Sequence, residues 1–255
     1  MSTVISTKEM FPVFETLPTT TEEVMTLVDS FITKFLEIAD FLEIKNEEEH
    51  AYGKYVYIGE KEKDFPIMVI GNSNNATYYS KGILLNRIGI DGKVQNGTVS
   101  VTGLQIMNFV TITFSTAYPV NMKYLKTSKG MFCKLSFADQ TPLGGTMVLT
   151  PMVTDGVEGE FLNYLLFNNT QMYNSFIPHS AFDSLVETLP EVNSMLIPTG
   201  KYGVMDVYAK YNNVFPYLKL ISWYPVAFTK YEIGEKKYAA AFVNNKQWSV
   251  LMEIE

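Results

Sequence analysis

Side chains that carry catalytic or metal chemistry are scarce in this chain. Two histidines and one cysteine occur in 255 residues. Catalytic zinc wants three protein ligands, usually drawn from His and Cys. His50 and His179 are distant in sequence, and nothing in the pattern brings them together. A lone Cys133 excludes an intrachain disulfide. It sits in the alternating run Met131-Phe132-Cys133-Lys134-Leu135, which reads as a buried small hydrophobe and not as a reactive thiol. Basic clusters are missing too. The formal net charge is −7, and the longest basic grouping is Lys236-Lys237 beside Glu235. A face that binds a polyanion needs Lys and Arg gathered on it, so neither nucleic acid nor an anionic membrane surface is expected as a direct partner. No apolar run approaches the ~20 residues that span a bilayer. Met1-Ser2-Thr3-Val4 does not read as a secretion signal, so synthesis in a reducing cytoplasm is the expectation.

Motifs for chemistry are equally sparse. No glycine-rich loop leads into Lys-Ser or Lys-Thr, and no Gly-x-Ser-x-Gly elbow occurs. His179-Ser180 with Asp183 reads as a helix cap followed by a favourable acid, because all three sit at one helix start. Asp155, Glu158 and Glu160 read as a solvated turn, with an all-oxygen calcium site as the lesser reading. Paired carboxylates are the chemistry hardest to exclude, since a glycoside hydrolase needs only two. Asp206, between Met205 and Val207, is the best single candidate, although the solvent face of an alternating strand is the favoured reading of it. No cofactor and no catalytic residue is expected.

What the chain does have is aromatic and apolar residues: 17 Phe, 16 Tyr and 2 Trp, with 47% hydrophobic residues overall. Residues 1–19 read as an extended arm. Phe11-Pro12-Val13-Phe14 and Leu17-Pro18 are apolar, but the prolines block a regular helix. Such an arm wants a surface, either the rest of the chain or a neighbouring subunit. A long amphipathic helix is expected over 20–45. Thr20 and Glu23 have capping-box spacing, and Val24, Leu27, Val28, Phe31, Phe35, Ile38 and Leu42 recur every three or four residues. Glu47-Glu48-Glu49 then reads as a solvated loop.

Residues 50–255 read as a β-rich body. Val110, Ile112 and Phe114 alternate cleanly with Thr111 and Thr113. Asp91-Gly92, Gly144-Gly145 and Asp155-Gly156 are turn signals. Phe161–Phe167 is a strand or a short helix, which periodicity does not separate. Pro178–Leu189 is expected as a second helix, and short strands follow to Ile254. Helices between strands, which parallel folds need, are missing. The expected class is therefore mainly β with two helices, an antiparallel β-sandwich or barrel. It forms one continuous unit or two packed lobes dividing near 155–180.

Tyrosine offers a large stiff face with a polar tip and is enriched at contact surfaces. The candidate interface residues are Phe11, Phe14 and Leu17 of the arm, the Tyr78-Tyr79 pair, and Trp223. The arm Met10–Phe14, the Asn-rich turns and the closing series from Trp223-Tyr224-Pro225 through Tyr238-Ala239-Ala240-Ala241-Phe242 resemble tailed-bacteriophage virion proteins of tail, baseplate or capsid-attached type. That resemblance covers about a sixth of the chain and rests on style, without a diagnostic motif. It implies a non-catalytic virion component, made in the host cytoplasm, that assembles with other virion subunits as a homo- or hetero-oligomer. Two other readings stand beside it: a receptor- or carbohydrate-binding β module that meets a surface glycan, and a two-carboxylate glycan-cleaving enzyme.

Overall fold

The computed structural model describes residues 4–61, 66–95, 98–128, 130–138, 141–154, 157–167, 182–184, 196–198, 205–207, 215–221, 226–243 and 249–254. It is mainly β, with one helix among the described residues. The strand pairs are antiparallel except where Phe182–Ser184 lies parallel to Phe215–Ile221.

The first strand, β1 (Val4–Phe11), comes from the expected arm. It is hydrogen-bonded along β7 (Val120–Thr127), with Val4 opposite Lys126 and Thr7 opposite Lys123. The arm is thus part of this chain's own sheet, continued by β8 (Gly130–Phe137), β9 (Thr141–Thr154) and β10 (Val157–Phe167). The run 161–167 is therefore strand. A second sheet is a simple meander of β2 (Leu42–His50), β3 (Gly53–Glu60), β4 (Met68–Asn72), β5 (Gly82–Gln95) and β6 (Thr98–Thr113). A third gathers β11 (Phe182–Ser184), β14 (Phe215–Ile221), β15 (Lys230–Ile233), β16 (Lys236–Val243) and β17 (Ser249–Glu253). Two short strands, β12 (Leu196–Pro198) and β13 (Met205–Val207), pair with each other.

Helix α1 spans Thr21–Ile38. Its start is the expected one. The Thr20 hydroxyl accepts from Glu23 N–H, and the Glu23 carboxylate accepts from Thr20 N–H at 3.0 Å, which satisfies two orphan donors of the first turn. Val24, Val28, Phe31, Ile32, Phe35 and Ile38 are buried, and each contributes about 1.5–3 kcal/mol by leaving water. The helix is shorter than the apolar stripe suggests. Ala39 closes it through its N–H to Phe35 O, and Leu42 is already the first residue of β2. Leu42 still faces the core, but it does so from a strand.

Four other expectations are corrected. Glu47-Glu48-Glu49 is strand, not loop, because β3 supplies a ladder for it and side-chain partners as well: Lys54 for Glu47 and the Tyr57 hydroxyl for Glu48. The reversal expected at Asp91-Gly92 falls between Gln95 and Thr98, and Asp91/Gly92 is a bulge inside β5. Gly144-Gly145 lies within β9 and makes no turn. In place of the second helix, Phe182–Ser184 is strand, and the rest of 178–189 lies outside the described residues.

The core lies around α1. Phe11, Phe31 and Phe35 belong to one buried cluster with Ile58, Ile70 and Leu85 of the meander and with Met122, Met131 and Leu135 of the first sheet. Phe228, Ala239, Met252 and Ile254 join the same cluster, with the Phe228 ring 4.8 Å from Phe132 of the first sheet. Ion pairs pin the helix and the turn after it to the first sheet: Lys8 with Glu37 of α1, and Lys126 with Asp40 of the turn at 2.5 Å.

Candidate functional site

Beyond β1 the chain crosses to α1 as an extended segment, residues 12–20, and two loops meet it there. Phe14 N–H donates to Ser115 O at 3.1 Å, which ties the segment to the loop 114–119. The Tyr79 hydroxyl donates to Thr19 O at 2.8 Å, which ties it to the loop 73–81. Phe114 N–H donates to Lys81 O at 3.0 Å, which joins the two loops. Each loop has its own sequence reason. The Asn75 side chain accepts from Thr77 N–H, an Asx turn, and Ser115 Oγ accepts from Ala117 and Tyr118 N–H, the hydroxyl equivalent. Thr19 and Thr20 N–H both donate to Glu23, and these bonds, that of Thr19 first, hold the Glu23 carboxyl below its ordinary pKa.

Between the segment and the helix lies an open hollow of about 310 Å³, lined by Phe14, Leu17, Pro18 and Leu27 with Thr16, Thr26 and Glu23 at its polar side. Val13, Leu17, Tyr78 and Tyr118 stand exposed on the three segments, at 45, 42, 56 and 55% of their full accessibility. Large apolar groups gathered on one surface mark a contact site more often than single ones do. Lys81 Nζ lies 4.9 Å above the Tyr78 ring.

Of the six candidate residues, four belong here. Leu17 and Phe14 line the hollow, Tyr78 is exposed on the loop 73–81, and Tyr79 of the same loop reaches Thr19 with its hydroxyl and stacks its ring 5.4 Å from Tyr52. Phe11 lies behind, 1% exposed, with its ring against Phe14, Phe31 and Phe114. Trp223 lies outside the described residues. Val13 and Tyr118 were not singled out by sequence. Their signal was weak: each is a large apolar residue next to a proline or in a Ser-Thr-Ala turn.

Two carboxylates do converge elsewhere, on Lys54 Nζ: Asp29 of α1 at 2.6 Å and Glu47 of β2 at 3.0 Å. Burial works against the Lys54 charge, but the bonds and charges of Asp29 and Glu47 outweigh it and leave the ammonium's pKa raised. Lys54 N–H also donates to Asn72 Oδ1 at 3.0 Å, and Asn72 Nδ2 donates to Tyr52 O at 2.7 Å. This is a helix-to-sheet clamp. A general acid instead needs a carboxyl kept protonated against an apolar wall. Nearby, His50 Nδ1 accepts from Tyr52 N–H, its ring lies 4.6 Å from Tyr55, and its buried Nε2 has no partner. Burial holds His50 below its ordinary pKa, against the opposing pull of Asn72 and Glu48.

Among the described residues no three His, Cys, Asp or Glu side chains are grouped to hold a metal ion, and no helix is long and apolar enough to cross a membrane. His179, Ser180 and Asp155 lie outside the described residues, as do the side chains of Glu158, Glu160, Asp183 and Asp206. No family model, curated protein or solved structure matches the chain.

Proposed function

We propose that the chain is a non-catalytic structural component of a phage virion, tail, baseplate or capsid-associated, built as a β-sandwich and assembled through protein–protein contacts. One observation carries the reading: Val13, Leu17, Tyr78 and Tyr118 stand exposed on three segments tied together by hydrogen bonds, and one of those segments borders an apolar hollow lined by Phe14, Leu17, Pro18 and Leu27. Hydrogen bonds join the three segments to one another, Phe14 N–H to Ser115 O, Tyr79 Oη to Thr19 O and Phe114 N–H to Lys81 O, which lowers the cost of ordering them when a partner binds. The partner is another virion subunit, of the same or a different chain.

Sedimentation velocity over a wide concentration range tests this in its homo-oligomeric form. The expected result is self-association that Leu17→Asp and Tyr118→Asp each weaken at least tenfold, with unchanged circular dichroism. A chain that stays monomeric at high concentration, whether or not the patch is altered, counts heavily against assembly through it.

A second reading, a receptor- or carbohydrate-binding module, is favoured by the open Tyr78 and Tyr118 rings, since an exposed aromatic face stacks on a sugar. Glycan-array binding that disappears in Tyr118→Ala would support it in place of the first.

A further inference from the structure

The first sheet has a second face. Lys8 and Lys126 point toward α1 and the turn that follows it, where Glu37 and Asp40 meet them. Side chains alternate along a strand, so Thr7 and Lys123 point the other way. Register places Lys123 directly opposite Lys134 on β8 and beside Thr7 on β1. Like charges opposite each other in an antiparallel pair repel. Among the described residues neither ammonium has an acidic partner. Glu9, which shares this face through its pairing with Asn121, makes no ion pair with either.

The pair is also walled. Lys123 Nζ lies 4.8 Å above the Phe228 ring, and that ring lies 4.8 Å from Phe132. Phe228 is 8% exposed and takes a left-handed backbone, φ 67°, which a non-glycine residue adopts only where its surroundings fix it. Lys123 is exposed while Lys134 is half-buried, so the pair is open to solvent on the Lys123 side. We propose that Lys123 and Lys134 form an oxyanion site on the face turned away from α1, taking a phosphate or carboxylate group between their ammoniums against the Phe228 wall. An anion there converts the repulsion into two charge-assisted hydrogen bonds. Burial and the neighbouring Lys123 charge together depress the Lys134 pKa, which fits a site built to receive negative charge.

The test is thermal melting of the full chain at fixed pH and ionic strength, titrated separately with inorganic phosphate and with a hexaglutamate peptide. The expected result is a saturable rise in Tm with at least one of them. Lys134→Met abolishes the rise, Lys123→Met weakens it at least tenfold in half-saturating concentration, and Lys134→Arg retains it. Saturation by phosphate alone assigns a phosphate group, and saturation by hexaglutamate alone assigns carboxylates of a polypeptide. A linear rise shared by wild type and both Met variants is solute exclusion and overturns the site. So does a flat response to both probes.

Discussion

Replacing Phe11 by alanine asks whether the first strand belongs to this chain's own core. Phe11 is 1% exposed, and its ring meets Phe114 edge-on at 5.3 Å, Phe31 stacked at 5.7 Å and Phe14 at 6.0 Å. Large-to-small changes of a buried Phe cost about 3–5 kcal/mol. Three rings lose a partner here, and β1 lies at the edge of its sheet, where the backbone has some freedom to collapse into the space. About 4 kcal/mol is therefore expected. In a chain of this size ~1 kcal/mol moves Tm by roughly 2–4 °C, so the variant should melt about 8–16 °C lower. Urea unfolding followed by circular dichroism, at two well-separated protein concentrations, measures the loss directly. A loss below ~1 kcal/mol would refute the core placement. A loss present only at high concentration would put the ring against a neighbouring subunit.

Three further outcomes are expected. Gly53 has φ 151°, and a Cβ on it would come within 1.9 Å of Asn72 Oδ1; Gly53→Ala should therefore strain the backbone, displace Asn72 from Lys54 and Tyr52, and cost about 2–5 kcal/mol in urea unfolding. Burial keeps His50 below its ordinary value of 6.5. The unfolded chain then binds the proton first as pH falls, so stability is whole above that value and declines below it; His50→Gln should flatten Tm between about pH 7 and 5.5, and an unchanged slope would clear His50 of the effect. Burial pushes the Cys133 thiol pKa far up, so iodoacetamide should leave the native protein unlabelled and react fully in urea; labelling of the folded chain at the rate of a free thiol would contradict its burial.

Local signals in the sequence were read well where the structure they specify is local. The capping box at Thr20 and Glu23 is such a case, as is the alternation of Ile112 and Phe114 with Thr111 and Thr113. The failures share a cause, which is dependence on a distant partner. Leu42 continued the helical stripe because a residue can reach one core from a helix or from a strand. The glutamates after Asn46 looked solvated, and their strand exists because Tyr55, Val56 and Lys54 pair with them. The hairpin signal at Asp91-Gly92 yielded to the register of β5 on β6, which runs on to Gln95 opposite Thr98 and leaves a bulge at Asp91/Gly92. The apolar surface was half legible. Phe14, Leu17, Tyr78 and Tyr79 stood out as apolar residues in Pro- and Asn-rich segments, but their convergence depends on three backbone and hydroxyl bonds that no spacing reveals.

The pairing of β1 with β7 also sets an order of events as the chain is made. The meander β2 to β6 needs only neighbours in sequence, so its ladder can close as each strand appears. The strand Val4–Phe11 is synthesised before the meander, yet it has no ladder until Val120–Thr127 has been made. Through that interval Met10 and Phe11 have no finished core to enter. A nascent chain stopped before Thr127 keeps this strand unpaired with Met10 and Phe11 uncovered, the kind of segment that aggregates or recruits a chaperone. Closing the first sheet is thus a late, non-local step, and it is the step that encloses α1 on its second side.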